Sequence, residues 1–285
     1  MKISLIEPIS FCEGVKNALK IVDKAISEYP DTNIYVYGEI IHNDFVIEEY
    51  KNKGVKFLQK NINSIKDINE GVFIIPAHGA PKEIVELATA KSLIIYDDTC
   101  QFIKENIREI KEALAEGKKV VYIGDKDHDE SKAILSISND IYLKDKKLLN
   151  NYYNITNNNL VITCQSTLQK DVLNSEISEV LNAFPNAKNI ARVCNTTSIR
   201  QNAIINLESD VDLVIVVGDK ASNNTNKLYD TVRTHHKDVE CVLIENAKQL
   251  NESMIQNKNH IAIASGASTP MYLIDAVVNY LNNFR

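Results

Sequence analysis

The sequence predicts an α/β fold: three similar α/β units, each with a small, mostly parallel sheet. Three observations carry that expectation. Short β-branched runs alternate with amphipathic helical stretches along the chain, the pattern of parallel sheets joined by crossover helices. Most strands end in short polar or small-residue turns that lead into a helix. Cys12, Cys100 and Cys194 each occupy such a turn and lie 88 and 94 residues apart. No residue-level repeat accompanies that spacing, so the threefold expectation is topological, with strand ends converging.

The elements follow in order. Strands are expected at Ile3–Glu7, Ile34–Tyr37, Gly71–Pro76, Leu93–Asp97, Lys119–Ile123, Leu160–Cys164, Ile190–Val193, Leu213–Val217, Val239–Ile244 and His260–Ala264. Amphipathic segments include Gly14–Ser27, Ile103–Glu116, Leu173–Ala183 and Met271–Asn283. In the last, Met271, Leu273, Ile274, Val277, Val278 and Leu281 recur at helical spacing. The units are expected at 13–99, 100–193 and 194–285, with an N-terminal strand in 1–12 packing with the third. Asn150–Asn159 is the most linker-like stretch and falls inside the second unit.

The turns carry the chemistry: SFCEG, IIHND, AHGAPK, DDTCQ, GDKDHDE, TCQST, VCNTTS, GDKASNN and SGASTP. Ligands of parallel α/β sheets sit at the carboxyl ends of strands. Helix N-termini there offer N–H groups and a positive dipole end to anions such as phosphate.

Composition narrows the function classes. The chain has 285 residues, 44% hydrophobic and 25% charged, with a formal net charge of -6. A pI near 5.6 without a Lys/Arg block argues against nucleic acid as main partner. No apolar run reaches the roughly 18 residues of a membrane span, and the start lacks a basic n-region, so a cytoplasmic location is expected. Five cysteines without a CxxC pair point to neither a disulfide framework nor a zinc finger, so a metal site would be assembled from distant segments.

Cys164 and Cys241 fall in β runs and read as small buried hydrophobes. Cys12, Cys100 and Cys194 precede helix N-termini, which favour the thiolate. Three thiolates with an open fourth position suit a [4Fe–4S] cluster; a catalytic zinc site is the competing reading. His42, His78 and His128 stand in strand-to-helix turns. His235 and His236 are expected in solvent, and His260 to be structural. Glu130 is the candidate proton donor, because a desolvated carboxyl holds its proton near neutral pH. On spacing alone its plainer role, a first-turn glutamate favourable to the helix dipole, takes precedence. Gln165, Ser166, Thr167, Thr196, Thr197, Ser198, Ser222, Asn223, Asn224, Ser268 and Thr269 are either helix caps or groups that ring a diphosphate. No Walker A loop or complete GxGxxG is present, so a nucleotide is not indicated.

Read in order, these turns resemble the 4-hydroxy-3-methylbut-2-enyl diphosphate reductase family of the non-mevalonate isoprenoid pathway. The matching pieces are FCEGV (11–15), IIHN (40–43), AHG (77–79), DTC (98–100) and HDE (128–130). They continue with QST (165–167), VCNTT (193–197), VVGDKASNNTNKL (216–228) and SGAS (265–268). The resemblance covers almost the whole chain. It implies α/β units around a central [4Fe–4S] cluster on Cys12, Cys100 and Cys194, one iron being open to substrate. His42, His78, Ser222, Asn224 and Ser268 would hold the diphosphate, and His128, Ser166, Thr167 and Asn223 would also contact the substrate. His128 would position substrate and assist proton delivery from Glu130, with Ser166 in the catalytic group. The implied reaction is reductive dehydroxylation to isopentenyl or dimethylallyl diphosphate, with ferredoxin or flavodoxin as electron donor.

The sequence departs from the family's pattern at Gln101 and Asp129, where Pro is usual, and at Asn223, where a second Ser is common. Ser166 replaces Thr, and Asp98 replaces a small residue. These departures keep two other readings in view: a divergent paralogue reducing a different substrate with the same cluster, and a non-enzymatic iron–sulfur sensor.

Overall fold

The computed structural model describes residues 1–144 and 159–284. Of the Asn-rich stretch, residues 150–158 lie outside the described residues. The strands are β1 (Lys2–Leu5), β2 (Ile34–Tyr37), β3 (Lys56–Leu58), β4 (Val72–Ile75), β5 (Ile94–Asp97), β6 (Lys119–Ile123), β7 (Ile141–Leu143), β8 (Leu160–Cys164), β9 (Lys188–Asn189), β10 (Leu213–Val217), β11 (Glu240–Ile244) and β12 (His260–Ser265). The helices are α1 (Glu13–Glu28), α2 (Asp44–Asn52), α3 (Asn63–Lys66), α4 (Lys82–Ala90), α5 (Gln101–Ala115), α6 (Asp129–Leu135), α7 (Lys170–Ala183), α8 (Asn195–Ile205), α9 (Asn223–His235), α10 (Glu252–Ile255) and α11 (Met271–Asn283).

These strands form three parallel four-stranded sheets: A, β1-β12-β10-β11; B, β3-β2-β4-β5; C, β7-β6-β8-β9. The order is the same in each. Taking β2, β6 and β10 as the first strand of their sheets, the order is second, first, third, fourth; in sheet A the fourth place is taken by β1, from the start of the chain. The first and third strands therefore lie side by side at the centre, with the chain leaving them toward opposite edges. That junction is the switch point at which open α/β sheets bind ligands.

Burial follows the order. The central strands β4, β8, β10 and β12 are buried at every residue, as parallel strands covered on both faces must be. This is why LVIVV and LVITC stand out in the sequence. The edge strands β3 (KFL) and β7 (IYL) are three residues each, too short to stand out by pattern, and are not predicted from the sequence. The strand expected over Ile190–Val193 is instead the two residues Lys188–Asn189. Ile190 N–H still donates to Ile162 O at 2.9 Å, but the Asn189 side chain then captures Ala191 N–H at 2.9 Å and turns the chain out of the ladder.

The chain divides into two compact units. One comprises Met1–Lys16, Ile41–Glu49 and Asn195–Arg285; the other comprises Asn17–Ile40 and Tyr50–Cys194. The first holds sheet A, with apolar clusters on its two faces centred on Ile215, Ile263 and Ile274 and on Val214, Ala262 and Val232. The second holds sheets B and C, packed around Phe73 and Ile84, Ile162 and Val180, and Tyr122 and Ile134. Among the described residues no helix is long and apolar enough to cross a membrane.

Candidate active site

The shared strand order places the candidate residues at shared positions. Five residues past the first strand stand His42, His128 and Ser222, after β2, β6 and β10. Seven residues past it stand Asp44, Glu130 and Asn224. Three residues past the third strand stand His78, Thr167 and Ser268, after β4, β8 and β12. Each set is chemically mixed, so aligning the letters does not reveal these shared positions.

In sheet C a buried carboxyl, a histidine and a serine come together. Glu130 lies in the first turn of α6 and is 1% exposed. Ser166 donates to it twice, from its N–H to Oε1 (2.9 Å) and from its hydroxyl to Oε2 (2.7 Å). Burial pushes the carboxyl up to about 7, against the lowering effect of those two bonds. His128 caps the same helix, its Nδ1 accepting Glu130 N–H at 3.2 Å. The neutral ring therefore carries its proton on Nε2 and can donate from there. The His78 and His128 rings meet edge to face, 6.3 Å between centroids. Gln165 braces the turn, accepting Asp125 N–H (2.9 Å) and donating to Thr167 Oγ1 (3.0 Å).

Sheet A gathers neutral dipoles. Ser222 caps α9, its Oγ accepting Thr225 N–H at 3.4 Å. Asn224 accepts Ala267 N–H at 3.2 Å and donates to Thr197 Oγ1 at 3.3 Å. Ser268 donates to His42 O at 3.0 Å. The turn after β12 approaches helix α9 so closely that a Cβ at Gly266 would lie 2.1 Å from Thr225 Oγ1. Only glycine fits there. Asn223 is the first residue of α9, one place past the Ser222 cap.

The three cysteines follow the fourth strand of their sheets, and one backbone bond recurs at all of them. Cys12 N–H donates to Ala267 O (3.0 Å), Cys100 N–H to Ala77 O (2.9 Å), and Cys194 N–H to Ser166 O (2.9 Å). Each acceptor is the second residue past the third strand. Each cysteine immediately precedes a helix and is half-buried, and none is in a disulfide. Each of these thiols is held by the same backbone device, and each is a soft donor of the kind that iron–sulfur clusters take. Cys164 and Cys241 differ: burial pushes both thiols up to about 12, so they stay protonated. Asp98, two residues before Cys100, is also buried, which raises its carboxyl to about 7 against the opposing charge of Lys104.

Some functional candidates escape sequence reasoning. Asn106 and Arg200 each sit six residues after a cysteine, on α5 and α8, and both are buried. The signal for Asn106 is a polar residue on an apolar stripe with Ile103, Ile110 and Ala113. Helix α8 buries Thr197, Ser198, Arg200 and Gln201 and has no apolar stripe, so nothing marks Arg200. His236, expected in solvent, is half-buried, with its Nε2 2.7 Å from Ile204 O.

A family model described as LytB protein matches residues 3–282. The chain belongs to the LytB family. Curated relatives named 4-hydroxy-3-methylbut-2-enyl diphosphate reductase include one from Wolbachia sp. subsp. Brugia malayi, 35% identical over 99% of this chain and 91% of the relative. Another, from Malacoplasma penetrans, is 32% identical over 99% and 97%. The chain is also similar to the solved E-1-hydroxy-2-methyl-but-2-enyl-4-diphosphate reductase of Plasmodium falciparum. The TM-score is 0.90 and the identity 29%, over 99% of this chain and 88% of that one.

Against this LytB background the sequence departures acquire a physical reading. Gln101, Asp129 and Asn223 are each the first residue of a helix. Proline, the usual residue at the first two, suits that position because its missing N–H would be unpaired there anyway, and other residues replace it without disturbing the helix; nothing in the structure explains Asn223. Asp129 also gains a partner, Lys60 Nζ at 2.8 Å.

Proposed function

We propose that this protein is a 4-hydroxy-3-methylbut-2-enyl diphosphate reductase, removing the hydroxyl of its substrate to give isopentenyl and dimethylallyl diphosphate. The reading is supported most by the recurrence of one cysteine-anchoring bond in all three sheets of a chain whose relatives carry that name. Cys12, Cys100 and Cys194 would hold a [4Fe–4S] cluster. When bound, such a cluster supplies electrons and a Lewis-acidic iron.

The protein's own residues would do the rest. His42, His78, Ser222, Asn223, Asn224, Thr167 and Ser268 would bind the diphosphate through neutral donors and helix N-termini, without a large basic patch. Glu130 would keep a proton on its carboxyl at neutral pH, and Ser166 would aim that carboxyl through its two hydrogen bonds. His128, protonated at Nε2, would orient the substrate oxygen. The leaving hydroxyl departs as water once protonated, so an acid near pKa 7 suits the task. Ferredoxin or flavodoxin would deliver the electrons, in the cytoplasm.

Anaerobic reconstitution followed by turnover of 4-hydroxy-3-methylbut-2-enyl diphosphate with a reduced donor tests the proposal. Brown protein that forms the two diphosphate products is expected. A folded, iron-loaded protein inert on this substrate would transfer the reading to the paralogue; a folded protein that takes up no iron would end it.

A further inference from the structure

Arg200 is 3% exposed, yet none of its hydrogen bonds goes to a carboxylate. Nη1 donates to Pro8 O (2.5 Å) and Ser265 O (3.0 Å), Nη2 donates to Ser10 O (2.5 Å), and Nε has no partner. A buried cation satisfied only by carbonyls is costly, and its charge calls for an anion nearby. Burial holds the guanidinium's pKa below its ordinary value, with Cys12 and then Glu7 opposing that shift.

The segment that Arg200 grips is strained. Ser10 has φ 65, a conformation that a serine keeps only when its surroundings over-determine it. They do: Ser10 N–H donates to Ser265 Oγ (2.7 Å), its hydroxyl donates to Thr269 O (3.0 Å), and its carbonyl accepts from Arg200. Two residues on, Cys12 N–H reaches Ala267 O. The whole approach to Cys12 is thereby tied to the turn that carries Ser268.

The repeat in the fold isolates what Arg200 adds. Six residues after Cys100, Asn106 Nδ2 donates to the carbonyl of Cys164, the last residue of β8, at 3.3 Å. Six residues after Cys194, Arg200 makes the counterpart bond to Ser265, the last residue of β12. The bonds to Pro8 and Ser10, and the charge, have no counterpart in Asn106.

We propose that Arg200 is the positioning residue of the Cys12 turn, fixing Pro8–Ser10 against the end of β12 and placing a buried positive charge two residues from Cys12. This rests on the reading of Cys12 as a cluster ligand. Reduction adds negative charge to a cluster, so a fixed cation nearby favours the reduced state.

The test compares the full-length parent with Arg200→Lys and Arg200→Met, metal-free and reconstituted anaerobically. In metal-free protein, amide exchange at Ser10, Phe11 and Cys12 should quicken about tenfold or more in both variants, since each loses the fork of charge-assisted bonds. In reconstituted protein the midpoint potential should move negative in the Met variant and stay near the parent in the Lys variant, which keeps the charge. Parent-like exchange in both variants, or a Met variant with full iron and the parent's potential, would overturn the assignment. If the Met variant fails to fold, exchange in the Lys variant decides. If the parent takes up no iron, the cluster reading fails and exchange alone judges the clamp.

Discussion

Glu130 and Asn224 occupy the same place in two sheets, seven residues past the first strand, and accept the same hydrogen bond. In sheet C the donor is Ser166 N–H, and in sheet A it is Ala267 N–H, each two residues past the third strand. The scaffold is shared; the end group differs. Glu130 is a buried carboxyl held near a pKa of 7, able to carry or release a proton. Asn224 is an amide that offers a dipole and never a charge. One acceptor position thus carries an acid in one sheet and a neutral amide in another.

Replacing the acid of sheet C by the amide found in sheet A should have the largest effect. Glu130→Gln keeps an acceptor for Ser166 N–H but removes the proton. Turnover should fall on the order of 10²–10⁴-fold with an unchanged circular dichroism spectrum.

The same variant also changes how stability depends on pH. The folded-state pKa of Glu130 is raised from 4.5 to about 7, so the native state binds the proton more tightly than the unfolded chain. That stabilisation is full below 4.5 and is lost as pH rises through about 7. Between pH 4 and pH 8, denaturant melts of metal-free protein should show Glu130→Gln gaining about 3 kcal/mol relative to the parent.

Next in size is Asn224→Asp, which places a charge where the proposed diphosphate sits. The substrate KM should rise on the order of a hundredfold, with kcat changed less. Ser166→Ala removes one donor that lowers the Glu130 pKa. It should cost about 1–2 kcal/mol and move the alkaline limb of the pH–rate profile upward. Smallest is Lys60→Met, which breaks an ion pair whose partners are 33% and 15% exposed. The melting free energy should change by about 1 kcal/mol or less, and turnover little.

The architecture was legible because buried parallel strands such as Leu213–Val217 are unbroken apolar runs, and because the turns after them are rich in polar and small residues. What was not legible was the register of the repeat. His128 and Ser222, Glu130 and Asn224, Thr167 and Ser268 are equivalent by position and unlike in chemistry, so aligning the letters hides them. One fragment does repeat: Gly124-Asp125-Lys126 and Gly218-Asp219-Lys220. Both aspartates accept the N–H two residues on, from Asp127 (3.0 Å) and Ala221 (2.7 Å). Arg200 stayed hidden for another reason: its partners are main-chain carbonyls, and these leave no mark on a sequence.

The proposed cluster rests on three cysteines placed alike, set against two that are not. Iron content and Mössbauer spectra of anaerobically reconstituted Cys12→Ala, Cys100→Ala, Cys194→Ala, Cys164→Ala and Cys241→Ala proteins test it most directly. Each of the first three should lose the cluster, and the last two should keep a full complement with the parent's spectrum. A full, parent-like cluster in any of the first three, or its loss in Cys164→Ala or Cys241→Ala protein that remains folded, would contradict it.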